Sequence, residues 1–175
     1  MVLLAVVVDL SLRCSKNMKL VVLSDTHLSH VTDDFKAVCE RFCSNADMVI
    51  HLGDWTRSAI LDYLEQYPLQ AVAGNTDERS VHSRLPLKKV IQINGFRIGI
   101  IHGWGSGGDL RDRLKSQFAD VNAIFFGHTH QPLHMEEQGI YWFNPGSVFM
   151  GRGEVRGSVG VVHVDKQLRG EIVAL

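Results

Sequence analysis

The chain has 175 residues, 45% of them hydrophobic and 21% charged, the make-up of one globular domain and not of a disordered, collagenous or coiled-coil chain. Lysine and arginine number 18 against 19 aspartates and glutamates, a formal charge of −1, so there is no overall basic field to hold nucleic acid or an anionic membrane. Three cysteines argue against a secreted disulfide framework, and nine histidines are the unusual count.

Residues 1–17 stand apart. An apolar run at 2–8 is followed by Asp9, Arg13 and Lys16. The run is far shorter than the ~20 residues of a membrane helix, and no basic stretch precedes it as in a signal peptide. A cytoplasmic protein is expected. The functional domain is expected to start at Met18 and run to the end, as a single unit over 18–175. The extension is either an additional strand or a by-product of start-site choice.

From there the elements alternate. Residues 19–23 form a β-rich run without polar alternation, as in a strand buried on both faces. Phe35, Val38, Cys39, Phe42 and Cys43 recur at helical spacing behind Thr32 and Asp33, two possible N-caps. Residues 48–52 read as a second buried strand, 58–66 as a helix stopped before Pro68, and 70–73 as a short strand. Asn94-Gly95 between 90–93 and 97–101 marks a hairpin. Leu110, Leu114 and Phe118 place another helix, 123–126 a buried strand, and 141–143, 159–164 and 171–174 a β-rich tail. Alternation first and strands later predict a layered α/β protein with mixed sheets.

Five polar clusters each follow an apolar strand directly: Ser24-Asp25-Thr26-His27, Gly53-Asp54, Gly74-Asn75-Thr76-Asp77, His102-Gly103 and Gly127-His128-Thr129-His130. Ligands of open α/β sheets bind beyond the carboxyl ends of the strands, and the glycines allow sharp turns or close approach. Together the clusters offer Asp25, His27, Asp54, Asn75, His102, His128 and His130 as metal ligands. Oxygen and imidazole donors without thiolate suit Mn, Fe, Ni or Zn better than calcium or a cysteine-rich zinc knot. Seven ligands exceed one zinc site, and a shared carboxylate, with Asp54 a candidate by residue type, would join two ions. Taken singly, each cluster has a plainer explanation. Asp54 alone would cap the helix near Ser58, Asn75 would be a turn residue, and His102 a satisfied strand-end histidine.

In their order, D-x-H, G-D, G-N-x-D, H-G and G-H-T-H, the clusters resemble the calcineurin-like metallophosphoesterase family, from about Met18 to the C-terminus. Asn144-Pro145-Gly146-Ser147 matches its small bacterial and archaeal phosphodiesterase branch. The resemblance implies a four-layer α/β/β/α sandwich with mixed β-sheets and a dinuclear site at one edge. It implies Asp25, His27 and His130 on one metal, Asn75, His102 and His128 on the other, and Asp54 bridging. It implies two divalent ions per chain, Mn²⁺ foremost, with Ni²⁺, Fe²⁺ or Zn²⁺ as alternatives. The expected activity is hydrolysis of a small phosphate ester, foremost a phosphodiester, by in-line attack of a hydroxide held between the ions, with Asn75 also orienting the phosphate. One position departs: many relatives carry a proton-donating histidine directly after the asparagine, and here it is Thr76.

Other features are weaker. Residues 103–108 fit G-x-G-x-x-G, but the next strand ends in Gly127-His128 and not in a ribose-binding acid, so a loop admitting substrate beside His102 is the better reading. Cys39 and Cys43 are expected as core residues, and His51 as packing. His30 and His82 lie near ligand clusters in sequence, while Trp55 and Trp104 suit pocket walls or ordinary packing equally. The rival classes are a non-catalytic scaffold on the same fold, as in the retromer coat's metallophosphoesterase-like subunit, and a single-metal hydrolase. No specific nucleic-acid or membrane partner is expected, and a homo-oligomer is left open.

Overall fold

Successive side chains of a strand point to opposite faces, and residues 20–23 are apolar on both. Leu20 and Val22 enter one core cluster, Val21 and Leu23 another. That split accounts for the layers of the computed structural model, which describes residues 7–9, 17–105, 109–149 and 157–175. In chain order the elements are β1 (Val7–Asp9), β2 (Met18–Leu23), α1 (Asp33–Phe42), β3 (Met48–His51), α2 (Ser58–Leu64), β4 (Leu69–Ala71), α3 (Arg79–His82) and β5 (Lys88–Ile93). They continue as β6 (Phe96–Ile101), α4 (Leu110–Lys115), β7 (Ala123–Phe126), β8 (Leu133–Glu137), β9 (Ile140–Asn144), β10 (Ser158–Val164) and β11 (Leu168–Ala174).

The strands make two mixed sheets, ordered β1-β5-β6-β7-β9-β8 and β11-β10-β2-β3-β4. Between them lies a core that includes Leu20, Ile50, Ile91, Ile98, Phe125 and Phe143. On the outer face of the five-stranded sheet, Phe35 and Cys39 of α1 and Ile60, Leu61 and Leu64 of α2 pack on Val21, Leu23 and Val49. On the outer face of the six-stranded sheet, Leu114 of α4 packs with Ile101, Ile124, Phe126 and Trp142. Three cores separate four layers, helix on sheet on sheet on helix, as the family resemblance implies.

Local chemistry sets the boundaries. Thr32, not Asp33, caps α1: its hydroxyl accepts the Phe35 N–H at 3.1 Å. Asn94 and Gly95 take φ of 48° and 85° and turn the β5–β6 hairpin. The helices α2 and α4 end at Leu64 and Lys115, short of the expected reach. Two elements have no counterpart in the sequence reading, the four-residue α3 and the edge strand β8, whose Leu-His-Met-Glu-Glu run hides its pairing with β9. In the extension, β1 pairs parallel to β5, with Val7 opposite Val90. Most of the apolar run at 2–8, and residues 106–108 of the glycine-rich loop, lie outside the described residues. Among those described, no helix is long and apolar enough to cross a membrane.

The topology positions the site. β2, β3 and β4 are parallel neighbours in one sheet, β6 and β7 in the other. The five polar clusters follow these five strands, so three leave one sheet and two leave the other. Hydrogen bonds from Asp25 N–H to the Gly53 carbonyl and from Gly127 N–H to the His102 carbonyl, both 3.0 Å, hold neighbouring exits together.

Candidate metal centre

At the strand exits the backbone bends into the left-handed region, φ 53° at Asp25, 49° at His27, 57° at Asp54, 68° at His128 and 56° at His130. Non-glycine residues seldom adopt it, and such outliers gather at functional sites. Gly74 and Gly127 make the close packing possible. A Cβ on Gly74 would stand 2.2 Å from Asp54 Oδ1, and one on Gly127 2.0 Å from Ser24 Oγ and 2.8 Å from Asp25 Oδ2.

The carboxylates and imidazoles then face one another. Asp25 Oδ1 lies 3.1 Å from His130 Nε2, 3.8 Å from His27 Nε2 and 4.0 Å from His102 Nε2. Asp54 straddles two histidines, with Oδ2 3.6 Å from His27 Nε2 and Oδ1 3.3 Å from His102 Nε2. The donor atoms of Asp25, His27 and His130 all lie within 4.8 Å of one another, and so do those of Asp25, Asp54 and His102. Asn75 and His128 form the remaining contact, Oδ1 to Nδ1 at 3.1 Å. The seven predicted ligands are thus brought to one end of the molecule, with both carboxylates, and not Asp54 alone, facing both histidine sets.

Supporting contacts define which atoms are presented. The Leu52 carbonyl accepts from His102 Nδ1 at 2.8 Å, so the second ring nitrogen, Nε2, is the one turned to the carboxylates. The Gly105 carbonyl accepts from His128 Nε2 at 2.9 Å, which leaves Nδ1 to face Asn75 Oδ1. Ser24 Oγ and the His128 N–H donate to Asp25 Oδ2, at 2.6 and 3.1 Å, while Oδ1 stays turned to the histidines. Ser147 holds the Asp25 carbonyl at 2.7 Å and Asn144 the Gly127 carbonyl at 2.9 Å, which gives the Asn144-Pro145-Gly146-Ser147 segment a supporting role. Asp77, absent from the predicted ligand set, spends both oxygens on backbone, accepting from Thr56 N–H at 2.8 Å and Gly74 N–H at 2.6 Å. An aspartate two residues beyond Asn75 was its only signal in the sequence.

Charge completes the picture. Burial pushes the Asp25 carboxyl up, but His130, His102 and Ser24 outweigh it and hold it below the ordinary carboxylate value. Burial likewise opposes ionisation of Asp54, and His102 and the Thr76 N–H, 2.9 Å away, hold it well below. His102 is the counterpart: burial lowers it, but Asp54 and Asp25 raise it above the usual imidazole value. Both carboxylates are therefore charged near neutral pH.

These residues fit a divalent cation. Asp25 Oδ1 and His102 Nε2 are buried and face charged neighbours at 3.1 and 3.3 Å without well-formed hydrogen bonds, a state that coordination would relieve. His27 and His130 bring their Nε2 atoms to 3.2 Å. Two donors each about 2.1 Å from one ion stand roughly 3 Å apart.

The remaining candidates resolve as follows. Asp54 caps no helix; the α2 N-terminus receives Glu78, whose Oε1 accepts the Ser58 N–H at 2.8 Å. His51 is fully buried, stacked 3.5 Å from Trp55, and accepts the Gly53 N–H on Nδ1 at 3.2 Å. Trp55 is likewise buried, its indole N–H bound to the Val72 carbonyl at 2.9 Å. Cys39 and Cys43 are buried and free. His30 is exposed against Ser29, whereas His82 and Trp104 line a cavity beside Asn75 and His102.

The chain is similar to known proteins. Residues 18–167 match the model of the calcineurin-like phosphoesterase superfamily domain. A probable metallophosphoesterase of Methanocaldococcus jannaschii is 35% identical over 159 residues, 88% of this chain and 80% of that protein. Among solved structures, a predicted phosphoesterase of Streptococcus pneumoniae superposes with a TM-score of 0.71 at 23% identity, covering 91% of this chain and 90% of its own. An archaeal phosphodiesterase gives 0.64 at 22%, covering 89% of this chain and all of its own. Zinc-complexed Vps29 of Entamoeba histolytica gives 0.62 at 24%, covering 89% of this chain and 98% of its own. At these identities the three structures speak for the fold.

Proposed function

The chain belongs to the calcineurin-like phosphoesterase superfamily, and from that premise we propose that it is a phosphodiesterase working with two divalent ions, Mn²⁺ foremost. The ions are held by Asp25, His27, Asp54, Asn75, His102, His128 and His130. The observation that carries this reading is the pair of charged carboxylates set between His27 and His130 on one side and His102 on the other. Ions bound there supply Lewis acidity to the phosphoryl oxygens and lower the pKa of a coordinated water.

The chain's own residues supply the rest. Asn75 is exposed at the rim, where its amide reaches a phosphoryl oxygen and orients it. Leu52, Gly105, Ser24 and Asp77 hold the ligands and loops in place through the contacts described above. Thr76 is exposed, its N–H is committed to Asp54, and its hydroxyl is a poor proton donor near neutral pH. Esters whose leaving groups depart without protonation are therefore favoured, aryl diesters before alkyl monoesters.

The test is turnover by chelator-treated protein before and after adding Mn²⁺, Ni²⁺, Fe²⁺ or Zn²⁺, on aryl diesters and on aryl and alkyl monoesters. Activity is expected only with added metal and highest on diesters. Full activity in metal-free protein contradicts the metal-dependent reading. No turnover of any ester with any ion favours a non-catalytic scaffold.

A further inference from the structure

A cavity of about 470 Å³ opens beside the metal centre. Asn75 and His102 line it together with Pro86, Leu87, Ile101 and Trp104. Leu87 is 64% exposed and Trp104 42%, the only large hydrophobic residues left so open among those described. One exposed leucine needs no explanation. Two such residues meeting in one cavity, and sharing it with two proposed ligands, form a built apolar surface beside a charged site.

The surroundings hold that surface in place, and the lining also carries the Lys88 ammonium and the His82 ring. Lys88, on the rim, donates its Nζ to the Gln117 carbonyl at 2.8 Å. Trp104 is fastened on both sides: Arg113 Nη2 donates to its carbonyl at 3.3 Å, and the next carbonyl, Gly105, binds His128 at 2.9 Å. A left-handed Gly103, φ 102°, turns the chain from His102 into this wall.

Given the phosphoesterase reading, on which this step rests, a phosphoryl group at the metal centre directs its alcohol portion past Asn75 and His102. We infer that the cavity binds an uncharged aromatic ring of that alcohol portion, with Trp104 and Leu87 as specificity-determining residues. Trp104 offers an indole for ring contact and Leu87 an apolar side chain, and pockets of this size and lining take small organic ligands.

The test compares methylphosphonate and naphthylmethylphosphonate as inhibitors of bis(nitrophenyl) phosphate hydrolysis by metal-loaded protein. Each inhibitor carries one phosphonate, and they differ only in the ring. The naphthyl compound is expected to bind about tenfold more tightly, the scale of a ring contact. In Trp104→Ala and Leu87→Ser, both changes at exposed side chains, the ratio of inhibition constants should fall towards one. Equal inhibition in the unsubstituted protein, or a ratio unmoved in both variants, overturns the inference while the phosphoesterase reading stands. Absence of hydrolysis overturns that reading and this one with it.

Discussion

Two of the settings in which left-handed backbone occurs in this molecule behave differently. At the hairpin tips, Asn94-Gly95 and Gln138-Gly139, it closes a short turn, and a Cβ on either glycine would meet nothing within 4 Å. At the strand exits it is adopted by Asp25, His27, Asp54, His128 and His130, while neighbouring glycines are pressed against carboxylates and hydroxyls. The tips are local solutions that any solvent-exposed turn can use. At the exits the same dihedrals are held by contacts between loops far apart in sequence, and the unfavourable conformation aims donor atoms at one another. Conformation alone therefore says little about tolerance to change; what surrounds it decides.

The comparison breaks first at Asp54. Asp54→Ala removes the carboxylate that faces both His27 and His102, and a loss of about 10²–10³-fold or more in hydrolysis is expected. Elemental analysis should show fewer bound ions, and an active variant with full metal content would undo the proposed site. Thr76→His places a proton donor at an exposed exit position and should raise activity on alkyl monoesters, up to about 10²-fold, with metal content unchanged. The low end is expected because Asp77 is already committed to Gly74 and Thr56 and is not free to orient the new ring. Uniform gains across aryl and alkyl esters would contradict a proton-transfer role.

Smaller effects sharpen the contrast. Gly74→Ala drives a methyl into Asp54 and should cost about 3 kcal/mol of stability, read from denaturant unfolding. Beneath the exits, burial holds His51 neutral, its pKa pushed from 6.5 to about 3. Below pH 6.5 the unfolded chain takes up a proton that the folded chain refuses, so stability falls as pH drops through that window and levels off near pH 3. The contribution reaches up to about 3 kcal/mol by pH 4. Melting curves of His51→Gln should show a shallower acid slope than the parent protein; identical slopes would mean that His51 does not titrate differently on unfolding. The least effect belongs to Gly139→Ala, about 1 kcal/mol from the left-handed φ alone, with hydrolysis unaffected. A loss there equal to that of Gly74→Ala would erase the distinction between tips and exits.

Much of this was legible in the residues because buried strands announce themselves. Apolar runs such as 19–23 and 123–126 end abruptly in glycine, aspartate and histidine, so both the layered fold and the donor set could be read in one dimension. What stayed hidden is set by distant partners. β8 carries charges on an edge and has a regular pattern only once paired with β9. The staple made by Asp77 depends on Thr56, 21 positions earlier. Sequence order gave no means of showing that Asp25 faces His102 as well as His130, nor that Leu87 and Trp104 meet in one cavity. The pairing of Val7 with Val90 likewise joins segments without any local signal.

The five exits come from two sheets packed on a shared apolar interior, and an ion coordinated by groups from both would act as a clasp across the sandwich. Because such an ion binds the folded chain and finds no assembled site in the unfolded one, mass action would add about 2.7 kcal/mol to stability at a hundred times its dissociation constant. Resistance to heat and denaturant would then follow the supply of free divalent cation around the protein, so that scarcity of metal would lower its abundance as well as its activity.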